Sequence, residues 1–169
     1  MVDAAMMANC SPVIVVAGSG IDGILGELAE TNTSVVANTN WRLGIGTSIR
    51  TGVRHLIDNH PEVGAVVLLV CDQPFVDCDV VNRLIALRNE TGKPIVASSY
   101  ADTLGVPALF DRSCFDELLA LDQDQGAKSI ILSNRARVTE LPFPKGNVDI
   151  DTHEDWERLT ERPQRTPPR

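Results

Sequence analysis

Three aspartates have the type and spacing of a divalent-cation site. Asp72 directly follows Val66–Cys71, the strongest strand pattern in the chain. Asp149 and Asp151 alternate, so in extended backbone both side chains point the same way. Carboxylate oxygens suit Mg²⁺, which takes few ligands from protein. The pattern predicts a Mg²⁺ site in which Asp149 or Asp151 completes coordination by Asp72. The alternatives are a turn or helix-capping role for Asp72 and a cap of the final helix by Asp151 or Thr152.

A Gly- and Asn-rich loop from Asn38 to Ser48 leads into a helical pattern and is a candidate ligand-binding segment. Gly44 and Gly46 would let the backbone come close to a ligand. Thr47 and Ser48 offer hydroxyl and N–H groups at the helix start, where anions bind. The same residues also suit an ordinary helix cap after a flexible connector.

Two further segments, Gly105–Phe110 and Leu121–Lys128, carry weaker signals. The glycine placed just before Pro107 suggests a backbone wall against a ligand. The second segment places acids, a glycine and a lysine in a polar loop before a helix, at Asp122, Asp124, Gly126 and Lys128. A charged surface loop would explain this second segment as well.

Gly18–Gly23 matches the pattern G-x-G-x-x-G between a strand and a helix, where a dinucleotide fingerprint occurs. Bare backbone and a helix N-terminus there would hold a pyrophosphate. The second strand of such a unit should end in an acid that grips the ribose. Here that strand ends at Ala37 and Asn38, so the plain strand-to-helix turn is the alternative.

Short apolar runs alternate with helical patterns along most of the chain. Strand patterns occupy Pro12–Ala17, Ser34–Ala37, Val66–Cys71, Pro94–Ser98 and Val138–Leu141, and helical spacing falls between them. Asp77 or Asp79 is the predicted cap of the helix after the third strand pattern, and Thr152–Asp155 has the form of a capping box before the last short helix. Continuous apolar strands between helices predict a mostly parallel sheet covered on both faces, an α/β/α Rossmann-like fold. Ligands on such sheets bind beyond the carboxyl ends of the strands, where Asp72 lies. One domain is predicted over residues 1–161, with a disordered Pro- and Arg-rich tail at 162–169.

Composition excludes some classes of partner. The net charge of −8 disfavours nucleic acid. No apolar run is long enough to cross a bilayer and no secretory signal is visible, so we expect a cytoplasmic protein with no membrane association. The four cysteines lack metal-site spacing and are predicted to be reduced.

Five motifs occur in order and together carry a family resemblance. They are Asn38-x-x-Trp-x-x-Gly-x-x-x-Ser48, Asp72-Gln-Pro74, Gly105-x-Pro-x-Leu-Phe110, Asp124-x-Gly-Ala-Lys128 and Asp149-Ile-Asp-Thr-x-Glu-Asp155. In this order and spacing they resemble the molybdenum-cofactor nucleotidyltransferases. The similarity is greatest to the cytidylyltransferase (MocA-like) branch of the MobA-like group, and it extends from Val2 to about Leu159.

The resemblance implies a nucleotidyltransferase. The phosphate of a molybdopterin-type cofactor would attack the α-phosphorus of CTP, or of another nucleoside triphosphate, and pyrophosphate would leave. Asp72 and Asp151 would be the catalytic acids, with Mg²⁺ held by Asp72 and by Asp149 or Asp151; Asp151 is favoured over Asp149.

The resemblance also assigns binding residues. The nucleotide pocket would be formed by Asn38, Gly46, Thr47 and Ser48, and the pterin side by Gly105, Pro107, Gly126 and Lys128. Two positions depart from the family pattern, because Cys71 replaces a usual glycine and Lys128 replaces a usual arginine. A lysine gives up the bidentate phosphate contact that arginine makes.

A strand and a glycine-rich loop bearing Arg and Lys open the family pattern, and the 169 residues hold no such segment. We therefore expect a sheet without its first central strand, weak or absent transfer, and a tendency to associate as a homo-oligomer or with a molybdoenzyme. The alternative functions are a non-catalytic ligand- or partner-binding remnant of the fold, and a dinucleotide-binding module using Gly18–Gly23.

Overall fold

A computed structural model of the chain describes residues 1–150 and 152–160. The strands are β1 (Val13–Ala17), β2 (Thr33–Ala37), β3 (Ala65–Leu68), β4 (Ile95–Tyr100), β5 (Thr103–Asp111) and β6 (Val138–Pro142). The α-helices are α1 (Val2–Met6), α2 (Ile21–Leu28), α3 (Ile45–Asn59), α4 (Cys78–Thr91), α5 (Phe115–Leu119), α6 (Lys128–Ser133) and α7 (His153–Thr160).

The strands form two sheets. One is the parallel pair β1–β2, and the other has the order β3-β5-β4-β6. In the second sheet β5 runs antiparallel to both neighbours, whereas β4 and β6 are parallel. The predicted α/β class is confirmed, with mixed rather than mainly parallel pairing in the larger sheet.

The core lies on both faces of the larger sheet, because successive residues of β4 and β5 point to opposite sides. Ile95, Ala97, Ala108 and Phe110 pack on one face in a cluster that includes residues of α3, α5 and α6. Val96 and Leu109 pack on the other face with apolar residues of α4. Two helical layers therefore enclose the sheet, as the predicted three-layer arrangement requires.

Strand β5 is the element that the sequence patterns missed. The stretch Gly105-Val106-Pro107 looks like a chain breaker, and a central proline removes a ladder donor. Pairing with β4 shifts between Ala97 and Ser98, whose partners are Ala108 and Gly105. Val106 and Pro107 therefore occupy an irregularity in the ladder, where proline is tolerated.

Two helix starts were readable from sequence. The Asp77 carboxylate caps α4 by accepting a hydrogen bond from the Val80 N–H at 2.9 Å, which decides between the predicted caps Asp77 and Asp79. Before α7, the Thr152 hydroxyl accepts from the Asp155 N–H at 3.2 Å, and an Asp155 oxygen accepts from the Thr152 N–H at 3.1 Å. This reciprocal pair is the predicted capping box.

None of the helices in residues 1–150 and 152–160 has the length and apolar character needed to cross a membrane. The predicted tail at 162–169 lies outside the described residues.

Candidate functional site

Asp72 lies four residues beyond the end of β3, because the strand stops at Leu68 rather than at the predicted Cys71. Its backbone carbonyl accepts a hydrogen bond from the Ile150 N–H at 2.8 Å. Its side-chain oxygen Oδ1 is buried and has no hydrogen-bond partner in the structure. A buried carboxylate oxygen without a donor is costly unless a ligand or cation satisfies it.

Asp149 belongs to the segment that this backbone bond ties to Asp72, and it is exposed. Burial raises the pKa of Tyr100, and the negative charges of Asp149 and Asp72 raise it further, against a hydrogen bond with Gln73 that lowers it. The backbone bond between Ile150 and Asp72 brings this segment next to Asp72, and a shared cation site for Asp72 and Asp149 stays a prediction. Asp151, the favoured second ligand, lies outside the described residues.

Gln73 fixes the wall behind this site. Its side chain is only 3% exposed, and its Nε2 donates to the carbonyl oxygens of Val106 at 3.1 Å and Gly146 at 2.8 Å. The Tyr100 hydroxyl donates to the same Val106 oxygen at 2.9 Å. These bonds hold the irregular part of β5 and the 146 turn next to Asp72.

The predicted nucleotide-binding loop is tied together internally. Asn38 is 3% exposed, and its Nδ2 donates to Thr47 Oγ1 at 2.8 Å and to Ser48 Oγ at 3.0 Å. Thr47 is 4% exposed, and its hydroxyl lies within hydrogen-bond distance of the carbonyl oxygens of Asn40 and Gly44. Ser48 alone of the three is only half-buried. Asn38 and Thr47 thus position the loop, and direct nucleotide contact by either stays a prediction.

Gly44 and Gly46 connect this loop to the predicted polar loop before α6. The Gly46 N–H donates to the Gln123 carbonyl at 3.0 Å. A Cβ at Gly46 would collide with the Asp122 carbonyl and lie 2.8 Å from that of Gln125. Gly44 has a φ of 121°, and a Cβ there would collide with the Gln123 carbonyl. Gly44 and Gly46 are therefore required because the backbone of residues 122–125 packs directly against them.

A cavity of about 170 Å³ brings together three of the four residues predicted for the pterin side. Gly105, Gly126 and the exposed Lys128 line it, together with Tyr100 and the segment Leu68–Val70 that follows β3. A Cβ at Gly105 would collide with the Tyr100 hydroxyl. Tyr100 is shared with the Asp72 and Asp149 carboxylates, so the cavity adjoins the acidic site.

Pro107 is not part of that cavity lining. It is fully buried in β5, and its carbonyl accepts a hydrogen bond from Ser98 Oγ at 2.7 Å. A substrate-binding role for Pro107 stays a prediction, and its visible role is to support the strand.

The Gly18–Gly23 turn starts α2, but its first glycine is covered. A Cβ at Gly18 would lie 2.7 Å from Cβ and Cγ of Trp41, so the indole packs directly on this backbone. The Arg42 guanidinium in turn lies 4.9 Å from the Trp41 ring centre. Gly18 is therefore used for packing, whereas a Cβ at Gly20 or Gly23 would meet open space, so dinucleotide binding at this turn stays a prediction.

Within the described residues, no group of three or more His, Cys, Asp or Glu side chains is arranged to hold a metal ion. Two carboxylates are nevertheless enough for Mg²⁺, which usually keeps several waters and takes the remaining ligands from substrate phosphates. The buried, unsatisfied Oδ1 of Asp72 fits such an ion.

Two residues of this site were not singled out from sequence. Gln73 stands within the Asp72-Gln-Pro74 motif, and no motif includes Tyr100. The one sequence signal for Gln73 was the position of its amide side chain directly after Asp72, at the end of an apolar run. Tyr100 is the last residue of β4, at the turn of the β4–β5 hairpin, which cannot be recognised without β5.

Comparison with known proteins gives a family match and a related protein. The family described as MobA-like NTP transferase domain matches residues 1–138. The purine catabolism protein PucB of Bacillus subtilis strain 168 is 31% identical over 121 residues, which span 69% of this chain and 56% of PucB.

Solved structures give the same result for the fold. Rv0371c of Mycobacterium tuberculosis H37Rv in complex with manganese is 31% identical, with a TM-score of 0.77 over 95% of this chain and 84% of the other. A nucleotidyl transferase of Methanothermobacter thermautotroptrophicus has a TM-score of 0.74 at 20% identity, covering 94% of this chain and 76% of the other, which is a likeness of fold.

Proposed function

Because the chain belongs to the MobA-like NTP transferase family, we propose that it transfers a nucleoside monophosphate from a nucleoside triphosphate, CTP first among them, to the phosphate of a molybdopterin-type cofactor. An acceptor phosphate oxygen bonds to the α-phosphorus. The bond from that phosphorus to the bridging oxygen breaks, and pyrophosphate leaves with the electron pair. The MocA-like motif order supports the choice of CTP and of this acceptor.

One observation carries the proposal: Asp72 has a buried oxygen with no partner, and its backbone carbonyl is bonded to Ile150, the neighbour of the second acid, Asp149. Two acids held together at one end of β3 are costly without a cation, since like charges repel. We propose that Asp72 with Asp149, and with Asp151 of the same segment, holds Mg²⁺. When bound, the ion would neutralise charge on the triphosphate.

The chain's own groups would orient the substrates. The Asp72 backbone is fixed by the Ile150 N–H, and Gln73 fixes the wall behind it, so the carboxylate is held in place before substrate arrives. Ser48 Oγ already accepts from Asn38, which leaves its O–H able to donate to a nucleotide. Lys128, exposed at the rim of the cavity, would attract the acceptor phosphate.

The first test is pyrophosphate release by the purified chain with molybdopterin, Mg²⁺ and each of CTP, GTP and ATP. We expect weak turnover, with CTP above the other two, because the 169 residues hold no glycine-rich phosphate loop. Asp72→Asn should lower kcat/KM by at least about 100-fold, because it removes the charged carboxylate that would hold Mg²⁺ on the reacting triphosphate. Asp79→Asn, an exposed acid on the first turn of α4, is the matched control and should keep turnover.

A second test reports the cation site without activity. The chain has one tyrosine, so incorporation of 3-fluorotyrosine gives a single fluorine resonance at Tyr100. Mn²⁺ at the acidic site should broaden that resonance, Asp72→Asn should prevent the broadening, and Asp79→Asn should not. Broadening that survives Asp72→Asn would remove Asp72 as a ligand. Undiminished turnover by the Asp72→Asn variant would contradict the proposed mechanism.

A further inference from the structure

The turn Pro144–Asn147, which follows β6, is fixed against the residues of the proposed cation site. Its Gly146 carbonyl accepts a hydrogen bond from Gln73 Nε2 at 2.8 Å. Shortly after the turn, the Ile150 N–H donates to the Asp72 carbonyl at 2.8 Å. The turn therefore borders the site, and the side chains that it exposes are candidates for contact with a ligand bound there.

The backbone of this turn is held in place by packing. A Cβ at Gly146 would lie 2.5 Å from Cδ1 of Tyr100 and 2.7 Å from Cδ1 of Phe143, so two aromatic rings pack directly on it. The Gly146 N–H donates to the Phe143 carbonyl, and the Val148 N–H donates to the Lys145 carbonyl. Lys145 thus has a fixed backbone, whereas its side chain is exposed.

The Lys145 ammonium lies over an aromatic ring at the edge of the site. Its Nζ is 4.6 Å from the ring centre of Phe75, which follows Asp72 by three residues. A cation–π contact at an exposed position is weaker than a hydrogen bond from an ammonium to a charged oxygen. The ring therefore places the lysine beside the site, and the lysine can leave the ring for an anion.

Two buried oxygens of the site indicate that a ligand belongs there. Asp72 Oδ1 and Gln73 Oε1 have no hydrogen-bond partner among the described residues. The orientation of the Gln73 amide is fixed, because its Nε2 donates to the carbonyl oxygens of Val106 and Gly146. Buried acceptors of this kind call for an ion or a donor from outside the chain.

The charge of the site favours an additional cation beside the ligand. Asp72 and Asp149 are both acids, and the chain carries a net charge of −8. A nucleoside triphosphate also stays negatively charged after one Mg²⁺ has bound. Lysine side chains aimed at such phosphates lower the repulsion. Lys128 lines the neighbouring cavity, so Lys145 is the lysine that borders Asp72 itself.

We propose that Lys145 binds a phosphate group of the substrate, moving from the Phe75 ring to a phosphate oxygen when the substrate occupies the Asp72 site. This inference rests on the proposed transferase function. The phosphate belongs to the nucleoside triphosphate or to the acceptor, since both offer the same anionic oxygens. Its charge is present before and during the reaction, so loss of Lys145 should change KM more than kcat.

Chemical labelling tests this contact without turnover, because the chain has three lysines, Lys93, Lys128 and Lys145. The purified chain with Mg²⁺ is acetylated with acetic anhydride, and mass spectrometry gives the extent at each lysine. Tripolyphosphate, CTP and molybdopterin are added separately, and cytidine is the control without phosphate. A phosphate ligand at ten times its dissociation constant should slow acetylation of Lys145 by roughly tenfold.

The three probes distinguish the two sources of phosphate. Protection of Lys145 by tripolyphosphate and CTP assigns it to the triphosphate, and protection by molybdopterin alone assigns it to the acceptor. Lys93 is the internal control, because it lies just before β4, at the end of that strand away from Tyr100, and donates to the Ala136 carbonyl. Cytidine should protect none of the lysines.

Variants separate phosphate binding from a structural role. Lys145→Gln should raise KM for the contacted substrate by about tenfold and leave kcat within about threefold. Lys145→Arg should restore most of the loss, since a guanidinium also binds phosphate. Lys93→Gln should match the parent. Phe75→Leu removes the ring but keeps the cation, so Lys145 should still be protected by the phosphate probe.

The outcomes also separate this inference from the proposed function. Protection of Lys128 without protection of Lys145 would overturn the inference and leave the transferase proposal standing. Absence of protection at both lysines would overturn the two together. Equal protection of Lys145 by cytidine, or loss of protection in Phe75→Leu, would show that the lysine serves the ring and not a phosphate. Where turnover is too low for KM, the labelling decides.

Discussion

Replacing Gln73 tests the support behind the acidic site. The Gln73 amide is 3% exposed and donates to the carbonyl oxygens of Val106 and Gly146. Gln73→Met keeps most of the side-chain volume and removes both donors. The Val106 oxygen would keep its bond from the Tyr100 hydroxyl, whereas the Gly146 oxygen would lose its side-chain donor.

The expected loss of stability follows from the carbonyl oxygens of Val106 and Gly146, each of which loses a hydrogen-bond donor. A buried polar group without a partner costs about 1–3 kcal/mol, and a group that keeps one of two donors costs less. Gln73→Met also removes Gln73 Oε1, a buried oxygen without a partner, which offsets part of this cost. We expect Gln73→Met to lower the free energy of unfolding by about 1–3 kcal/mol, which corresponds to a fall in Tm of roughly 2–12 °C.

Gln73→Glu adds a dependence on pH. Burial against two carbonyl oxygens disfavours the charged form of the introduced carboxyl, so its pKa in the folded state is raised above the unfolded value of about 4.3. The stability of the Gln73→Glu variant relative to the parent protein should therefore be greatest below about pH 4 and should fall as pH rises through the folded-state pKa of the introduced carboxyl. Gln73→Met should show no such trend.

Urea unfolding followed by circular dichroism measures these changes, with an unchanged m-value as the check that the unfolded state is the same. Gln123→Met, at an exposed glutamine, is the control and should stay within about 0.5 kcal/mol of the parent. If Gln73→Met were as stable as this control, the amide would not be supporting the two carbonyls and the reasoning would fail.

Two further predictions concern other contacts. Partial burial works against the charge of Asp111, but hydrogen bonds from Arg88 and the Ser113 N–H outweigh it and lower its pKa, so Asp111→Asn should cost about 1 kcal/mol near pH 7. That cost is present above the unfolded pKa of about 3.9 and should vanish as pH falls through the lower folded-state value; urea midpoints at pH 7 and pH 3 that differ equally from the parent would contradict it. Gly46→Ala should destabilise by about 2 kcal/mol or more, since the added Cβ meets backbone of residues 122–125. Gly26→Ala in α2 meets open space and should stabilise by roughly 0.5–1 kcal/mol in the same urea measurement; equal effects of the two alanines would refute the packing argument.

Sequence patterns were informative where one local signal decided the structure. Apolar runs located five of the six strands to within a few residues, and Asp72 was found near the end of β3 because a lone carboxylate there stands out. The strand β5 was missed because its glycine and proline suggest a break, whereas the irregular pairing with β4 accommodates both.

The candidate site was harder to assign because the sequence does not tell which polar groups face inward. Asn38 and Thr47 were predicted to meet a nucleotide, but the structure buries both and uses their hydrogen bonds to fix a loop. Gly46 was predicted to leave room for a ligand, and the room is filled by the 122–125 backbone. Tyr100 and Gln73 enter the site through long-range contacts that no local pattern encodes.

The separation of the two sheets has a consequence for how the molecule opens. In the stretch from Val13 to Ala37 only Ala17 is buried, and α2 buries none of its residues. The second sheet, in contrast, carries fully buried residues on both faces. We expect the β1–α2–β2 unit to unfold locally at lower free energy than the rest, exchanging its amides as a group while β4 and β5 stay protected. Asn38 follows β2 directly, so each such event would release one side of the loop that leads into α3.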